Sequence, residues 1–313
     1  MNRSTVLRAF AAGAAATAMP LRARAADSVR FATIPIDTGA EVFYADAQHL
    51  FSKAGIDARV QSIPNGSAIT SAVVGGSIDV GFSNILSVAV AHEKGVPVTL
   101  IAPAGLYVSR APTSVLMVAK DSPIRDARGL GGKTIAVNGL KNITQLAVQA
   151  WVDKNGGDAK TLNFTEMPFS DMPLALSSHR IDAALIAEPD VTAAKSGARV
   201  LGKAYDAISP NFLIAGWFTS LKWAGDHPDL VKKVAHVMRD TAAWANRNEP
   251  ATAEILAHET KIEPATLRTM VRSVYAERLD AGQIQPLIDL SAHYGLLKAP
   301  FPAQDLIDKN AQG

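Results

Sequence analysis

The strongest polar pattern in the sequence is the segment "VNGLKNIT" (137–144), which could hold a small ligand. Asn138 and Gly139 end a short apolar strand, and Asn142 and Thr144 open an apolar-periodic stretch that predicts a helix. The first N–H groups of a helix have no partner inside it, so a helix start can bind a carboxylate, sulfonate or phosphate without a cationic side chain. We therefore predict that these four residues contact a ligand.

Two carboxylates indicate a different kind of ligand group. Glu188 follows the apolar strand "ALIA" and precedes Pro189, while Asp37 lies in "IDTGAE", directly after the first predicted strand. A carboxylate at a binding site favours an amine or a ring N–H over a second anion. Each residue also has a structural alternative, since Glu188 could cap the next short helix and Asp37 could be a plain helix cap. As ligand contacts, the pair indicates a cation or an amino-heterocycle.

Other predicted strand ends carry small polar residues and glycines. A glycine at such a place lets the backbone approach a ligand closely, and Asn or Ser offers side-chain hydrogen bonds. The alternative is a simple turn followed by a helix cap. The further residues that we predict to contact the ligand are Thr38, Gly39, Asn65, Gly66, Ser67, Ser83 and Asn84.

Patterns that would indicate an enzyme or a metal site are absent from the sequence. The seven histidines form no HExxH motif and the chain has no cysteine, which excludes a cysteine–histidine zinc cluster and thiol chemistry. There is no G-x-S-x-G motif, and "GLGGKT" (129–134) precedes a predicted strand, whereas a phosphate-binding loop follows one. The sequence predicts no catalytic residue, no metal and no cofactor.

The N-terminus has the composition of a secretory signal peptide. Arg3 and Arg8 precede a short apolar stretch, which ends at the A-x-A sequence of residues 23–25. We predict cleavage after Ala25, with Ala26 as the alternative. Removing residues 1–25 takes away four arginines and no acidic residue, which turns the formal charge from +2 to about −2. Such a charge gives no electrostatic reason to expect a nucleic acid or a membrane surface as a partner.

An alternating order of strands and helices must position the polar loops. Apolar patterns predict strands in "VRFATIP", "IDARVQSI", "IDVGF" and "VPVTLIAPA", with helices between them, the first from residue 37 to 55. A second unit repeats this order from "KTIAV" to "IDAALIA", and the strands "SVLMVAK" and "FLIAGWFTS" separate the units. This predicts an α/β fold with a parallel or mixed sheet. The remainder is mainly helical, with predicted helices at 228–247, 250–259, 264–277 and 283–294.

The two units share a short motif, "SIDVGFSN" (77–84) and "RIDAALIAEP" (180–189). Ligands of open α/β sheets lie beyond the carboxyl ends of the strands, so Ser83, Asn84 and Glu188 are placed where two related units could face each other. Asp79 and Asp182 stand at the opposite ends of their strands, where we expect them to cap the preceding turn.

Three stretches of the sequence resemble the solute-binding components of ABC importers: the repeated motif, the segment "KDSPIRDARGLGGKTIAVNG" and the segment "HPDLVKKV". The resemblance is to the nitrate/sulfonate/taurine and thiamine-pyrimidine-precursor (NMT1-like) subgroup, and it spans essentially all of the chain after the signal peptide. It implies a type II periplasmic binding protein fold, an α/β fold in which two lobes with mixed sheets surround a ligand cleft and two crossover strands form the hinge. Mapped onto this chain, the first lobe would be 27–114 with 217–313, and the second 115–216.

The resemblance also implies a function and partners. A periplasmic monomer, not an enzyme, would capture a small polar solute such as a sulfonate or an aminopyrimidine and deliver it to an ABC permease and its ATPase. In the pyrimidine branch, aromatic side chains stack on the ligand ring, and Trp217 is our candidate here, with Phe43, Tyr44, Phe82 and Tyr107 as alternatives. Two other functions remain open: an enzyme of pyrimidine synthesis on the same fold, and a periplasmic sensory protein.

Overall fold

The computed structural model describes residues 26–311, so the predicted signal peptide, residues 1–25, lies outside the described part of the chain. Within this part no helix combines the length and apolar character needed to cross a bilayer. The strands are β1 (Asp27–Thr33), β2 (Ile56–Ser62), β3 (Val80–Asn84), β4 (Val98–Pro103), β5 (Gly105–Val108), β6 (Ser114–Ala119), β7 (Thr134–Val137), β8 (Asn163–Glu166), β9 (Ala183–Ala187), β10 (Ala198–Gly202), β11 (Asn211–Leu213), β12 (Ala215–Ser220) and β13 (Val274–Tyr275).

Helices cover the sheets and fill most of the C-terminal third of the chain. They are α1 (Glu41–Ala47), α2 (Leu50–Lys53), α3 (Gly66–Val74), α4 (Ile85–Glu93), α5 (Ile143–Lys154), α6 (Met172–Ser177), α7 (Asp190–Ala194), α8 (Leu221–Asp226), α9 (Pro228–Ala245), α10 (Glu249–Thr260), α11 (Pro264–Leu267) and α12 (Ala281–His293).

Two five-stranded sheets with the same topology form two lobes. The first-lobe sheet has the order β2-β1-β3-β12-β4, and the second-lobe sheet has the order β8-β7-β9-β6-β10. In each, the fourth strand of the order is antiparallel to both of its neighbours, while the first three strands run parallel. The predicted α/β fold with two lobes and mixed sheets is therefore confirmed.

The chain passes between the lobes in β5 and β11, which pair antiparallel in a third, small sheet together with β13. The sequence analysis placed this boundary in "SVLMVAK" and "FLIAGWFTS". Most of those residues lie inside the two large sheets, as β6 and β12, and β11 holds only the start of the second segment. The hinge strands are thus shorter, and the first comes earlier in the chain, than the apolar runs indicated.

The repeated motif has the same structural role in both lobes. The backbone N–H of Arg30 donates to Asp79 Oδ2 at 2.8 Å, and the N–H of Thr134 donates to Asp182 Oδ2 at 2.9 Å. The N–H of each aspartate returns a bond to the carbonyl of the same partner residue. Each aspartate therefore joins the third strand of its unit to the first strand, rather than capping the preceding turn as expected.

Two predicted helices were wrong in extent. The helix predicted over 37–55 is divided into a short 3₁₀ turn, α1 and α2, with His49 in the left-handed region at φ 58°. The helix predicted over 264–277 ends at Leu267, and the chain continues into β13, where Tyr275 pairs with β5 and exchanges two hydrogen bonds with Asn246. Long-range pairing here outweighs the local helical pattern.

Candidate functional site

A narrow cavity of about 30 Å³ lies between the lobes, at the facing edges of the two large sheets. Its polar lining residues are Thr38, Asn84, Ser114, Asn138 and Thr144. The strands that deliver them end or begin at this edge: Asn84 ends β3, Asn138 follows β7, and Ser114 starts the antiparallel β6. This is the ligand position that the topology of open α/β sheets favours.

The remaining lining is apolar or aromatic, and no charged side chain from residues 26–311 takes part in it. Isoleucine side chains come from both lobes, while Phe82 lies on the first-lobe side and Phe169 and Tyr205 on the second. The cavity is therefore a small apolar space with a few hydroxyl and amide groups, a composition typical of sites for small organic molecules.

A buried network holds Asn138 in one orientation. Its Oδ1 accepts bonds from Asn142 Nδ2 at 2.9 Å and from the Thr144 hydroxyl at 3.1 Å. Because the acceptor oxygen is occupied in this way, the Nδ2 amino group is the part of the Asn138 amide left for a ligand. The loop thus presents a hydrogen-bond donor to the cavity.

The start of α5 offers fewer free donors than its sequence indicated. Asn142 caps the helix, and its Oδ1 accepts the N–H groups of Thr144 at 3.0 Å and Gln145 at 3.3 Å. The Gln145 side chain bonds back into the same loop, since its Oε1 accepts the N–H of Lys141 at 2.7 Å. The side chain of Asn142 therefore supports Asn138 and the helix rather than lining the cavity.

Three further polar groups complete the lining. Thr38 is 4% exposed, and Gly105 in β5 gives it room, since a Cβ on this glycine would stand 2.6 Å from Thr38 Cγ2. Asn84 caps α4, with its Oδ1 accepting the N–H of Ser87 at 2.9 Å. Ser114 lies close to Tyr205, whose pKa is raised by burial and only partly lowered by Ser114, so the phenol stays protonated at neutral pH.

Asp37 lies behind the cavity, in a buried ion pair with Arg272. The distance from Asp37 Oδ1 to Arg272 Nη2 is 2.7 Å, and Asp37 Oδ2 accepts the N–H of Ser273 at 2.5 Å. The Tyr44 hydroxyl donates to Asp37 at 3.3 Å. With its acceptors taken by protein groups and no exposed surface, Asp37 does not line the cavity.

Glu188 likewise bonds to the protein. Its Oε2 accepts the N–H of Thr192 at 2.9 Å, and its Oε1 accepts the Thr192 hydroxyl at 2.9 Å and the N–H of Val271 at 3.4 Å. Burial raises its pKa, and the bonds from Thr192 oppose that rise. These contacts at the start of α7 favour the capping alternative, so neither carboxylate supports the interpretation that the ligand is a cation or an amino-heterocycle.

Trp217 belongs to the core. Its indole N–H donates to Glu41 Oε2 at 2.8 Å, and its ring packs against Phe31 and Phe82 with no exposed surface. Burial raises the pKa of Glu41 well above its ordinary value, and the bond from Trp217 lowers it only in part. Among the aromatic alternatives, Phe82 reaches the cavity.

The predicted glycines accommodate protein atoms rather than a ligand. A Cβ at Gly39 would stand 2.7 Å from the Ile34 carbonyl oxygen, and one at Gly66 would stand 2.3 Å from Ser83 Oγ. Of the predicted contacts, the structure brings together Thr38, Asn84, Asn138 and Thr144 at the cavity. Those that do not line it are Asp37, Gly39, Asn65, Gly66, Ser67, Ser83, Gly139, Asn142, Glu188 and Trp217.

The sequence analysis missed Ser114, Phe169 and Tyr205. Ser114 begins an antiparallel strand, and the start of such a strand lies at the same sheet edge as the carboxyl ends of its parallel neighbours. Phe169 follows β8, another strand end that could have been included by the same rule. Tyr205 precedes the return strand β11 and carries no local signal.

The family model described as NMT1/THI5 like matches residues 38–253. No curated protein sequence matches the chain. Among solved structures, the periplasmic aliphatic sulphonate-binding protein SsuA of Escherichia coli is 17% identical, with 91% of this chain and 98% of that chain covered and a TM-score of 0.73. The periplasmic nitrate-binding protein NrtA of Synechocystis PCC 6803 is 12% identical, with 90% and 86% covered and a TM-score of 0.77.

An enzyme has the same fold. The desulfurization enzyme DszB is 15% identical, with 91% of this chain and 97% of that chain covered and a TM-score of 0.67. At these identities the similarity shows a shared fold only. The function of this chain has to be inferred from the residues that line its cavity.

Proposed function

The chain belongs to the NMT1/THI5-like family, and we propose that it is the extracytoplasmic binding protein of an ABC importer. It captures a small organic solute between its lobes and delivers it to the permease, whose ATPase drives transport. The observation that carries the proposal is the cavity at the facing edges of two sheets of identical topology, lined from both lobes. The N-terminal signal peptide directs export to the periplasm, where the protein acts as a monomer.

Closure of the lobes is part of the proposed mechanism. A cavity of about 30 Å³ admits little more than two water-sized groups, so a solute enters while the lobes are apart. The sheet of β1–β4 and β12 forms one lobe and the sheet of β6–β10 the other, and the short antiparallel pair β5–β11 is the hinge. Closure then buries the solute and creates the surface that the permease recognises.

The cavity favours a ligand with an apolar body and a hydrogen-bond acceptor. Asn138 supplies an amino group and Thr38 a hydroxyl, next to the side chains of Ile143 and Phe169, whereas the Thr144 hydroxyl donates within its own loop. An acceptor such as a sulfonate or carbonyl oxygen matches these donors. The part of the lining formed by residues 26–311 contains no carboxylate that could pair with an amine. We therefore rank the aminopyrimidine below the sulfonate among the expected ligands.

An enzyme is the second candidate, because the fold is shared with DszB. A cysteine-to-serine mutant of DszB has been solved in complex with biphenyl-2-sulfinic acid, whereas this chain contains no cysteine. The titratable group in the lining is Tyr205, whose phenol is kept neutral by burial. Capture without chemical change fits this lining better than catalysis does.

Native mass spectrometry of the exported protein tests the proposal. We expect a retained small molecule, which denaturation releases unchanged and which restores a thermal shift when it is added back. Thr38→Val removes a cavity hydroxyl at nearly constant volume and should reduce retention. The matched control is Thr241→Val, because the Thr241 hydroxyl donates to the Val237 carbonyl at 2.7 Å inside α9, away from the cavity.

Three results would count against import. Release of a compound chemically different from the one added would indicate an enzyme. Equal loss of retention in both threonine variants would remove the cavity from the proposal. Binding without any stimulation of transport by the permease and ATPase in reconstituted vesicles would favour a sensory protein.

A further inference from the structure

Glu166, at the carboxyl end of β8, contacts both lobes. Its Oε2 accepts the N–H of Leu140 at 3.0 Å, and its Oε1 accepts a bond from Asn65 Nδ2 at 3.4 Å. Leu140 belongs to the second-lobe loop that carries Asn138, while Asn65 precedes α3 in the first lobe. One carboxylate thus joins the loop of the cavity to the facing lobe.

Asn65 is held so that it presents a donor to this carboxylate. Its Oδ1 accepts the N–H of Ala68 at 2.9 Å, which caps α3 and directs Nδ2 away from the helix. The positive end of the α3 dipole also favours a negative charge near its first turn. Both the fixed orientation of the Asn65 amide and the dipole of α3 therefore favour the bond between Asn65 and Glu166 across the cleft.

Other contacts between the lobes lie elsewhere. The hydroxyl of Tyr294, just after α12, donates to Asp153 Oδ2 on α5 at 2.9 Å, and the Asp37 N–H donates to the Glu188 carbonyl at 3.0 Å. Neither bond involves residues 138–142. Glu166 differs because the same carboxylate holds the cavity loop and reaches across the cleft.

We propose that Glu166 is a positioning residue that couples the loop around Asn138 to closure of the lobes, an inference that rests on the proposed binding function. A ligand that fixes the loop fixes Leu140, and Leu140 holds Glu166 where it can bond Asn65. Conversely, closure through Glu166 keeps the loop in place over the ligand. Residue 166 thereby affects affinity without contacting the ligand.

The two partners allow an exchange of donor and acceptor. Asn65→Asp keeps the helix cap, since Asp and Asn cap helices about equally well, but it sets two carboxylates against each other across the cleft. Glu166→Gln supplies a donor in place of an acceptor. The double variant Asn65→Asp/Glu166→Gln restores a hydrogen bond with the roles reversed.

Because the chain has no cysteine, two introduced cysteines can carry spin labels specifically, at the exposed Ser71 on α3 and at the exposed Lys160 in the second lobe. Pulsed electron paramagnetic resonance then gives the ratio of closed to open distances without ligand. We expect Asn65→Asp to lower this ratio about tenfold, because it replaces a hydrogen bond to a charged group with repulsion between two carboxylates. Glu166→Gln should lower it about threefold, because the glutamine loses the charge but keeps one acceptor oxygen. The double variant should return most of the way to the wild-type ratio.

Asp57→Asn is the matched control, because it changes the charge by the same amount as Glu166→Gln at an exposed position of β2. It should leave the ratio unchanged. The inference is overturned if the ligand-free wild type shows open distances alone, if Asn65→Asp leaves the distances unchanged, or if the double variant is no more closed than Asn65→Asp.

Affinity for the solute identified by native mass spectrometry is the second measurement, and it should follow the closed fraction across the four proteins. The two proposals can fail separately. A solute bound equally well by all four proteins, with unchanged lobe distances, removes the role of Glu166 and leaves the binding function. Lobe distances that change as expected in a protein that retains no solute leave closure through Glu166 intact and remove the binding function.

Discussion

The first strand of each lobe ends in a polar loop at the cavity edge, yet the two loops differ in charge. After β1, the Asp37 carboxylate is buried in an ion pair with Arg272, and Glu41, which burial keeps protonated, accepts a bond from Trp217. After β7, the corresponding groups are the neutral Asn138, Asn142 and Thr144, and part of the Asn138 amide remains for a ligand. Equivalent positions on equivalent sheets therefore have different roles. The buried ion pair stabilises the first lobe, whereas the neutral loop of the second lobe provides a hydrogen-bond donor to the cavity.

Arg272→Met should have the largest effect, because it leaves the Asp37 carboxylate buried without its cation. We expect the free energy of unfolding to fall by about 3–5 kcal/mol, the usual result of removing one partner of a buried ion pair. Urea denaturation followed by circular dichroism measures it. Arg268→Met is the control, since its partner Glu254 is exposed, and should cost less than about 1 kcal/mol. Similar losses in the two variants would contradict the structural role of the Asp37–Arg272 pair.

The two repeated aspartates allow the same comparison away from the cavity. The side chain of Asp79 is 10% exposed and that of Asp182 is 38% exposed, although both bond the first strand of their unit. We expect Asp79→Asn to lower the free energy of unfolding by about 2 kcal/mol and Asp182→Asn by about 0.5 kcal/mol. Thermal and urea unfolding of both variants would measure this. A larger cost for Asp182→Asn would show that burial is not what separates the two sites.

Asn138→Ala tests the neutral loop. It removes the amino group that faces the cavity, so the dissociation constant of the retained solute should rise about tenfold, as expected for one lost hydrogen bond. Isothermal titration calorimetry measures the constant. Asn163→Ala is the control, because Asn163 is exposed and its amide donates to the Gly132 carbonyl at 3.0 Å. An unchanged constant for Asn138→Ala would remove Asn138 from the binding site.

Glu41→Gln should have little effect on stability near pH 4.5 and an effect that grows as pH rises. Burial keeps Glu41 protonated in the folded protein above its ordinary pKa of 4.5, whereas the unfolded chain releases that proton. Stability contributed by this group is therefore complete below about pH 4.5 and falls as pH rises, by at most about 1.4 kcal/mol per pH unit.

The glutamine in this variant can still accept the Trp217 N–H but does not ionise. The wild type should thus lose more stability than the variant between pH 5 and pH 8, as urea unfolding at several pH values would show. Glu254→Gln, at an exposed glutamate, is the control. Parallel pH profiles for the wild type and Glu41→Gln would contradict a buried, neutral Glu41.

The features that could be predicted from sequence are those with local causes. The alternation of strands and helices and the repeated "ID" motif were sufficient for the two-unit α/β fold. Asn65 and Asn142 were recognisable as helix starts because a cap and the N–H groups it accepts lie within three residues of each other. Asn138 was found because it ends a strand at the ligand edge.

The features that could not be predicted depend on distant partners. Asp37 and Glu188 resembled ligand groups because Arg272, the ion-pair partner of Asp37, lies far along the chain, and nothing marks Val271 as a donor to Glu188. The core position of Trp217 depends on Glu41, which lies 176 residues earlier. A strand-end rule locates the edge of the site, but tertiary contacts decide which side chains remain for the ligand.

The insertion of β12 between β3 and β4 has a consequence for the order in which the lobes form. All five strands of the second-lobe sheet lie between residues 114 and 202, so this sheet can assemble from one continuous stretch of chain. The first-lobe sheet is incomplete until β12 (215–220) inserts between β3 and β4. In the chain, β12 follows all five strands of the second-lobe sheet. Contacts of such high sequence separation form slowly. We therefore expect the second lobe to fold first and the first lobe, which begins with β1, to be completed last.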